Sequence, residues 1–388
     1  MDTCMPHFRV RAMSRVVGDP VRGAWFPVAP ATVTVLQWAF VLVAIPSVLA
    51  GQVGVTSTPA SGELGGSSER RIRLDVLVND KSGKPVAGLQ QQDFTVLDGK
   101  QPQKIVSFQA VTATSADREP VQVILLIDAV NTAFDRVANA RGEIKRYLER
   151  DGGKLAQPLS FAFFSDSGVK LQEKPSRDGT AQAAFLDQNE TALRTVRRSQ
   201  GVYGEDERLR LSLAALEQLI SYAAKIPGKK IVIFLSPGWP ILSGPNIHLS
   251  SKDEAGIFKT IVALSTSMRD AGVTVYTVDP LGASAGVAHA FDYERFIKAA
   301  RSSRDAQFGD LGLQVLSLQS GGRVLNSRND LGSEIDACIK DAEAYYILSI
   351  DAATGDGPDD YHALDVKIGR PQLKAQTRAG YYAQPAAP

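Results

Sequence analysis

From Val121 to Ile127 every position but Gln122 is apolar, and the chain then turns to Asp128, Ala129, Val130, Asn131 and Thr132. An unbroken apolar run of this kind suits a strand buried on both faces of a parallel sheet, where in-out alternation is lost. Beyond it, Phe134, Val137, Ala140, Ile144, Tyr147 and Leu148 recur at helical spacing and predict a helix between Ala133 and Arg150. Asp128 is thereby set where a central strand ends and a helix begins. In open α/β sheets, ligands bind at that carboxyl edge. Further apolar runs at Leu159–Phe164, Lys230–Leu235 and Val273–Val278 end in Ser165–Asp166, Ser236–Pro237–Gly238 and Asp279–Pro280. Between and after them, Leu209, Leu213, Leu216, Ile220 and Ala223 mark one helix face, and Ile257, Ile261, Leu264 and Met268 another. Leu331, Ile335, Cys338 and Ile339 mark the last. Strands alternating with helices predict a Rossmann-like, doubly wound and mostly parallel sheet with right-handed crossovers.

The flanks follow a different period. Ile72, Leu74, Val76 and Val78 alternate with polar residues, as do Phe94 and Val96, and Ile105–Phe108 predicts a third strand. Asp80–Pro85 is a turn, and Asp98–Gly99 is a hairpin signal. Three strands are too few to stand alone. Tyr345–Ile350, Ala363–Ile368 and Leu373–Thr377 supply more, broken by the turn-rich Thr354–Asp360. The expected arrangement is a small β-sandwich built from 70–113 and 344–383, with the α/β domain, 119–343, inserted between the two segments.

Charge changes the picture mainly at the start of the chain. Arg9, Arg11, Arg15 and Arg22 precede an uncharged apolar run from Ala31 to Ala50 that ends Val48–Leu49–Ala50. That order reads as a signal peptide, 1–50, with cleavage before Gly51 and Met13 as an alternative start. The other reading is an uncleaved membrane anchor, since the run approaches the ~20 residues that span a bilayer. The small residues and Pro46 favour cleavage. Either way the remainder is expected outside the cytoplasm, as a periplasmic, secreted or cell-surface protein. Gly51–Glu69, rich in Gly, Ser and Thr, is expected to be a flexible linker.

The strand endings resemble those of von Willebrand factor type A (vWA) domains. That family's first loop reads Asp-x-Ser-x-Ser; here the same positions hold Asp128, Val130 and Thr132. Leu159–Asp166 is similar to the second strand with its Phe-Ser-Asp ending. Lys230–Gly238 is similar to the fourth strand, with Pro237 in place of the usual aspartate. Within the family, the secreted acidobacterial-type group shares an Asp-x-x-Asn-Thr loop and a tail Arg-x-Gly-Tyr-Tyr, matched by Arg378–Tyr382. The resemblance runs from about residue 70 to residue 383. It implies an interaction or adhesion module with a metal-ion-dependent adhesion site, here degenerate because Val130 and Pro237 supply no side-chain oxygen.

Asp128, Asn131 and Thr132 offer oxygen ligands for a hard cation such as Mg²⁺, completed by water and a partner's carboxylate. Thr132, immediately before Ala133, equally suits a helix N-cap. Asp166, Ser236 and Asp279 fall at strand ends and are expected along the same ligand-binding edge; hydrogen bonding to loop amides is the commoner role of such acids. Ser199–Tyr203, where the family supplies a threonine, has none, and Gly282–Gly286 is a flexible loop rather than a nucleotide cradle. His7, His248, His289 and His362 occupy no metal-ligand spacing and read as surface or loop residues. Asp351, Asp356, Asp359 and Asp360 lack calcium-loop spacing and read as solvated. Cys4 and Cys338 cannot build a disulfide framework, and Cys338 lies on an apolar helix face as an inert thiol.

With 43 basic and 42 acidic residues interspersed, the chain carries no nucleic-acid groove signal. No nucleophile elbow or identifiable base is present. The expectation is a non-enzymatic, extracytoplasmic protein-interaction module whose partner is another protein. It meets a membrane only if the N-terminal segment is uncleaved, and any Mg²⁺ is weakly bound. The competing reading is a hydrolase or metalloenzyme using the acidic edge around Asp128.

Overall fold

The computed structural model describes residues 71–112, 121–189, 201–240, 248–280, 293–326 and 330–385. All of these belong to one compact unit, 63–388. The expected signal segment and linker, the Gly282–Gly286 loop, Ser199, Gln200, Cys4, His7 and His289 lie outside the described residues. Within them, no helix is long and apolar enough to cross a membrane.

In chain order, the strands are β1 Arg71–Asn79, β2 Phe94–Asp98, β3 Gln101–Gln103, β4 Ile105–Thr112, β5 Val121–Asp128, β6 Lys154–Ser165, β7 Gly168–Leu171 and β8 Ser176–Asp178. They continue with β9 Lys229–Leu235, β10 Val273–Val278, β11 Val324–Leu325, β12 Ala344–Asp351, β13 Asp360–Ile368, β14 Lys374–Gln376 and β15 Gly380–Ala383. The α-helices are α1 Phe134–Glu149, α2 Gly179–Gln188, α3 Gly201–Ala223, α4 Ser251–Asp270, α5 Leu313–Gln319 and α6 Leu331–Lys340.

The central sheet runs β11-β10-β9-β5-β6-β7, with β8 also paired to β6. β11, β10, β9, β5 and β6 are parallel; β7 and β8 pair antiparallel on β6. β5 is buried at every position because it is flanked on both sides and covered on both faces. Val121, Val123, Leu125 and Ile127 pack with α1, α2 and α6, whereas Ile124 and Leu126 pack with α3, α4 and α5. The fold is thus α/β around a mostly parallel sheet, with helices on both faces.

In this order β6 lies on one side of β5 and β9 on the other. The crossover direction reverses between β5 and β9, and a crevice opens there at the carboxyl ends of the strands.

Two antiparallel four-stranded sheets, β14-β1-β12-β4 and β15-β13-β2-β3, are drawn from the two ends of the unit. Their apolar residues meet in one cluster: Leu74 and Val76 from β1, Phe94 and Val96 from β2, Tyr346 and Leu348 from β12, Leu364 and Val366 from β13. β12 is buried on both faces, since Tyr345 and Ile347 join the cluster beneath α1 and α6. That is why residues 344–350 read as a near-continuous apolar run. The Asp98–Gly99 hairpin joins β2 to β3, with Gly99 and Lys100 at φ of 55° and 75°, the positive pair that a two-residue turn of the mirror-image type requires.

Three expectations are corrected. α1 is capped by Ala133 with no side-chain cap bond, so Thr132 is not the N-cap; its side chain is buried. Phe134 is 58% exposed and outside the core. His362 is neither a loop nor a free surface residue: it lies in β13 with Nδ1 2.8 Å from the buried Asp98 carboxylate.

Candidate functional site

The loop after β5 is anchored before it reaches any ligand-facing position. The Ala129 amide continues the ladder by donating to the Phe164 carbonyl at 2.9 Å. Asp128, with no solvent exposure, then folds the next three residues around its own carboxylate. Oδ1 accepts from the amides of Val130 (2.8 Å) and Asn131 (2.9 Å). Oδ2 accepts from Asn131 Nδ2 (2.8 Å) and from the Ser236 hydroxyl (2.6 Å). Four donors occupy the roughly four lone-pair positions a carboxylate has. Burial raises the Asp128 pKa above its usual value, and the bonds from Ser236, Asn131 and Val130 oppose that rise without cancelling it.

The Asp128–Ser236 bond spans the switch-point crevice, joining the end of β5 to the residue that follows β9. The far side is equally fastened. Ser236 Oγ accepts from the Gly238 amide at 3.0 Å, and its own amide donates to the Val278 carbonyl at 3.0 Å. Gln314 Nε2 donates to the Pro237 carbonyl at 2.9 Å. Gly238 sits at φ +91°, where a Cβ would come within 2.5 Å of the Gln314 side chain. Trp239 Nε1 donates to the Leu311 carbonyl at 2.6 Å, and its ring meets Phe234 edge-on at 5.9 Å. Asn131 Nδ2 also reaches Ser212 Oγ on α3, at 2.9 Å. One network therefore ties β5, β9 and α3 together at the sheet's edge.

Of the sequence-derived site residues, Asp128, Asn131 and Ser236 are brought together. Thr132 is buried beside them. Asp166 is exposed in the turn between β6 and β7 and takes no part in the network. Asp279 is buried after β10, its amide donating to the Leu325 carbonyl at 3.0 Å. Ser212 was not foreseen; it is a small polar residue among Leu209, Leu213 and Leu216 on an apolar helix, a position that signals a specific partner.

As arranged, these residues do not fit a tightly held Mg²⁺. A magnesium ion at ~2.1 Å from a carboxylate oxygen would have to displace one of the four donors that now point at Asp128. Val130 and Pro237 present no side-chain oxygen to replace it. The Asn131 side-chain oxygen is buried without a hydrogen-bond partner among the described residues, but it belongs to a residue whose amino group is already engaged. Among the described residues, no three His, Cys, Asp or Glu side chains converge as a metal-binding group.

A second polar cluster lies in the antiparallel sheets. The buried Asp98 carboxylate accepts from Tyr381 Oη at 2.7 Å while facing His362 Nδ1 at 2.8 Å. The His362 ring stacks on Tyr381, with centroids 5.1 Å apart. Burial, then the bond to Asp98, raises the Tyr381 phenol further above its normal range. Nothing local signals this triad, because its members come from three strands and Asp98 is 264 residues from His362.

No family model matches the chain, and no curated protein matches it.

Proposed function

We propose that the chain is a non-enzymatic protein-interaction module of the von Willebrand factor type A kind, exported from the cytoplasm, that binds another protein at the carboxyl edge of its central sheet. In this reading the two antiparallel sheets form the β-sandwich built from flanking segments, and the Asp128 loop is a degenerate adhesion site. The observation that carries it is the closed Asp128 network at the switch point: the position where this architecture places its ligands holds a pre-ordered edge instead of a catalytic group. A catalytic carboxylate must reach the proton or atom it acts on. Asp128 is fully buried and spent on four internal bonds, which favours the binding reading over a hydrolase or metalloenzyme.

Beside this edge, Phe134 opens α1 with 58% of its surface exposed. Aromatic residues, phenylalanine among them, are enriched in protein interfaces relative to the rest of the surface. In this reading Phe134 supplies contact area, the Asp128 network supplies rigidity, and Mg²⁺ binding is weak and not required. The test is capture of partners from the native envelope by the immobilised protein, with and without a chelator, and with Phe134→Ser alongside. The same protein should be recovered in both buffers and lost in Phe134→Ser. Recovery unaffected by that substitution, or abolished by chelation, contradicts the reading.

A further inference from the structure

At the opposite edge of the central sheet, where the parallel strands begin, lies a cavity of about 270 Å³ between β1, the start of β9, the ends of α3 and α4, and Arg378. Five basic and two acidic side chains line it. Most of this charge is accounted for internally. Asp75 takes Arg73 on one oxygen and the buried Lys229 on the other, each at 3.3 Å. Arg269 pairs with Asp270 at 3.0 Å. Lys230 Nζ donates to the carbonyls of Ile226 (2.7 Å) and Gly228 (2.8 Å) just beyond α3. Arg378 is left over: its guanidinium makes no hydrogen bond or ion pair with any described residue.

The charge count decides what the cavity would take. Five positive charges against two negative leave an excess of three. The carboxyl ends of α3 and α4 also face this space, and each is equivalent to about half a negative charge. The remaining excess is about two. The volume falls just below the ~300 Å³ at which drug-sized ligand pockets begin, so the occupant is small.

We propose that this cavity is a binding site for a small dianionic oxyanion of the phosphate or sulfate type, with the Arg378 guanidinium as its principal ligand. The planar fork of arginine matches such an oxyanion with two parallel hydrogen bonds. Lys229 and Arg73 also line the cavity and add long-range attraction without giving up Asp75. Burial, only partly opposed by the charge of Asp75, pulls the Arg378 pKa down to about 10, as expected for a cation waiting in a poorly solvated site. The same residue opens the Arg378–Ala379–Gly380–Tyr381–Tyr382 tail, whose tyrosines are buried in the cores. The site is therefore built into the frame and not onto a loose loop.

The test is a calorimetric titration of inorganic phosphate, and separately of sulfate, into the full-length protein at constant ionic strength set with sodium chloride. Thermal unfolding is followed in parallel. Wild type should bind with a saturable isotherm and unfold at higher temperature in phosphate than in matched chloride. Arg378→Gln should lose at least tenfold in affinity and lose the thermal shift. Arg370→Gln, which removes an equal charge from an exposed pair with Asp93 outside the cavity, should behave as wild type. Because Arg378→Gln removes a guanidinium that makes no hydrogen bond or ion pair with any described residue, it is expected to fold; should it not, Arg378→Lys keeps the charge, loses the fork and should still bind at least tenfold more weakly. Absence of saturable binding to wild type at millimolar phosphate overturns the proposal, as does equal binding by Arg378→Lys or by all variants. Binding of a phosphate monoester with equal affinity would show that the site accepts the group on a larger molecule; binding of the inorganic ion alone would restrict the ligand to the free ion.

Discussion

Removing the Asp128 carboxylate probes the network at its centre. In Asp128→Ala, the amides of Val130 and Asn131 lose their acceptor at 2.8 and 2.9 Å, the first bond buried and the second half-buried. A buried donor left unsatisfied costs about 1–3 kcal/mol. The Ser236 hydroxyl and the Asn131 amide can rotate toward other partners and add less, so the total is expected at about 3–5 kcal/mol. Asp128→Asn is different. It keeps one oxygen for the two backbone amides, and Asn131 can turn its unpartnered side-chain oxygen toward the new amino group. The expected cost is about 1 kcal/mol or less at neutral pH. The pH dependence has a definite sign. Because burial raises the folded-state pKa of Asp128, its contribution is fullest below the ordinary carboxyl range and is lost as pH rises through the raised value. That component should vanish in Asp128→Asn. Urea unfolding of the three proteins across acidic to neutral pH measures both effects. An Asp128→Ala protein within about 1 kcal/mol of wild type would refute the reasoning, because the four bonds would then hold nothing together.

Two further outcomes follow from buried groups elsewhere. Burial carries the Asp310 carboxyl from 3.8 to about 6, so its protonated form stabilises the fold below pH ~4 and that stabilisation is lost as pH rises through about 6. The shift is equivalent to at most about 3 kcal/mol; Asp310→Asn should therefore raise stability by up to that amount at pH 7.5 and by nothing at pH 3.5, checked by chemical unfolding. Cys338 is fully buried and its thiol is pushed well above its usual range, first by that burial, so a thiol reagent at pH 7.5 should label it only as fast as the protein unfolds.

How much of this was legible in the sequence depended on whether the signal was local. β5 announced itself because Val121–Ile127 is buried on both faces, and a two-sided burial leaves a continuous apolar run. β10 matched its expected span for the same reason. β15 escaped notice: Gly380–Ala383 is four residues long, and its partners on β13 lie across a turn. α2 was missed because its apolar residues are few and its start is marked by Asp178, which accepts from the Ala181 amide at 3.0 Å. At the site, the placement of Asp128 was readable from strand-then-helix periodicity. The occupation of its carboxylate was not, because two of its four donors are the amides of its own loop and a third comes from Ser236, 108 residues away. Thr132 has the chemistry of a cap, but tertiary burial took its side chain inward and left the cap position to Ala133. The Asp98–Tyr381–His362 cluster was invisible for the same long-range reason.

The most direct measurement is a titration of Mg²⁺ into the wild-type protein by calorimetry, with Asp128→Asn as the reference. If the Asp128 carboxylate is committed to Val130, Asn131 and Ser236, wild type should show no saturable Mg²⁺ binding at millimolar concentration and should match Asp128→Asn. Sub-millimolar Mg²⁺ binding by wild type that disappears in Asp128→Asn would contradict this, and would mean that the loop opens its carboxylate to a metal after all.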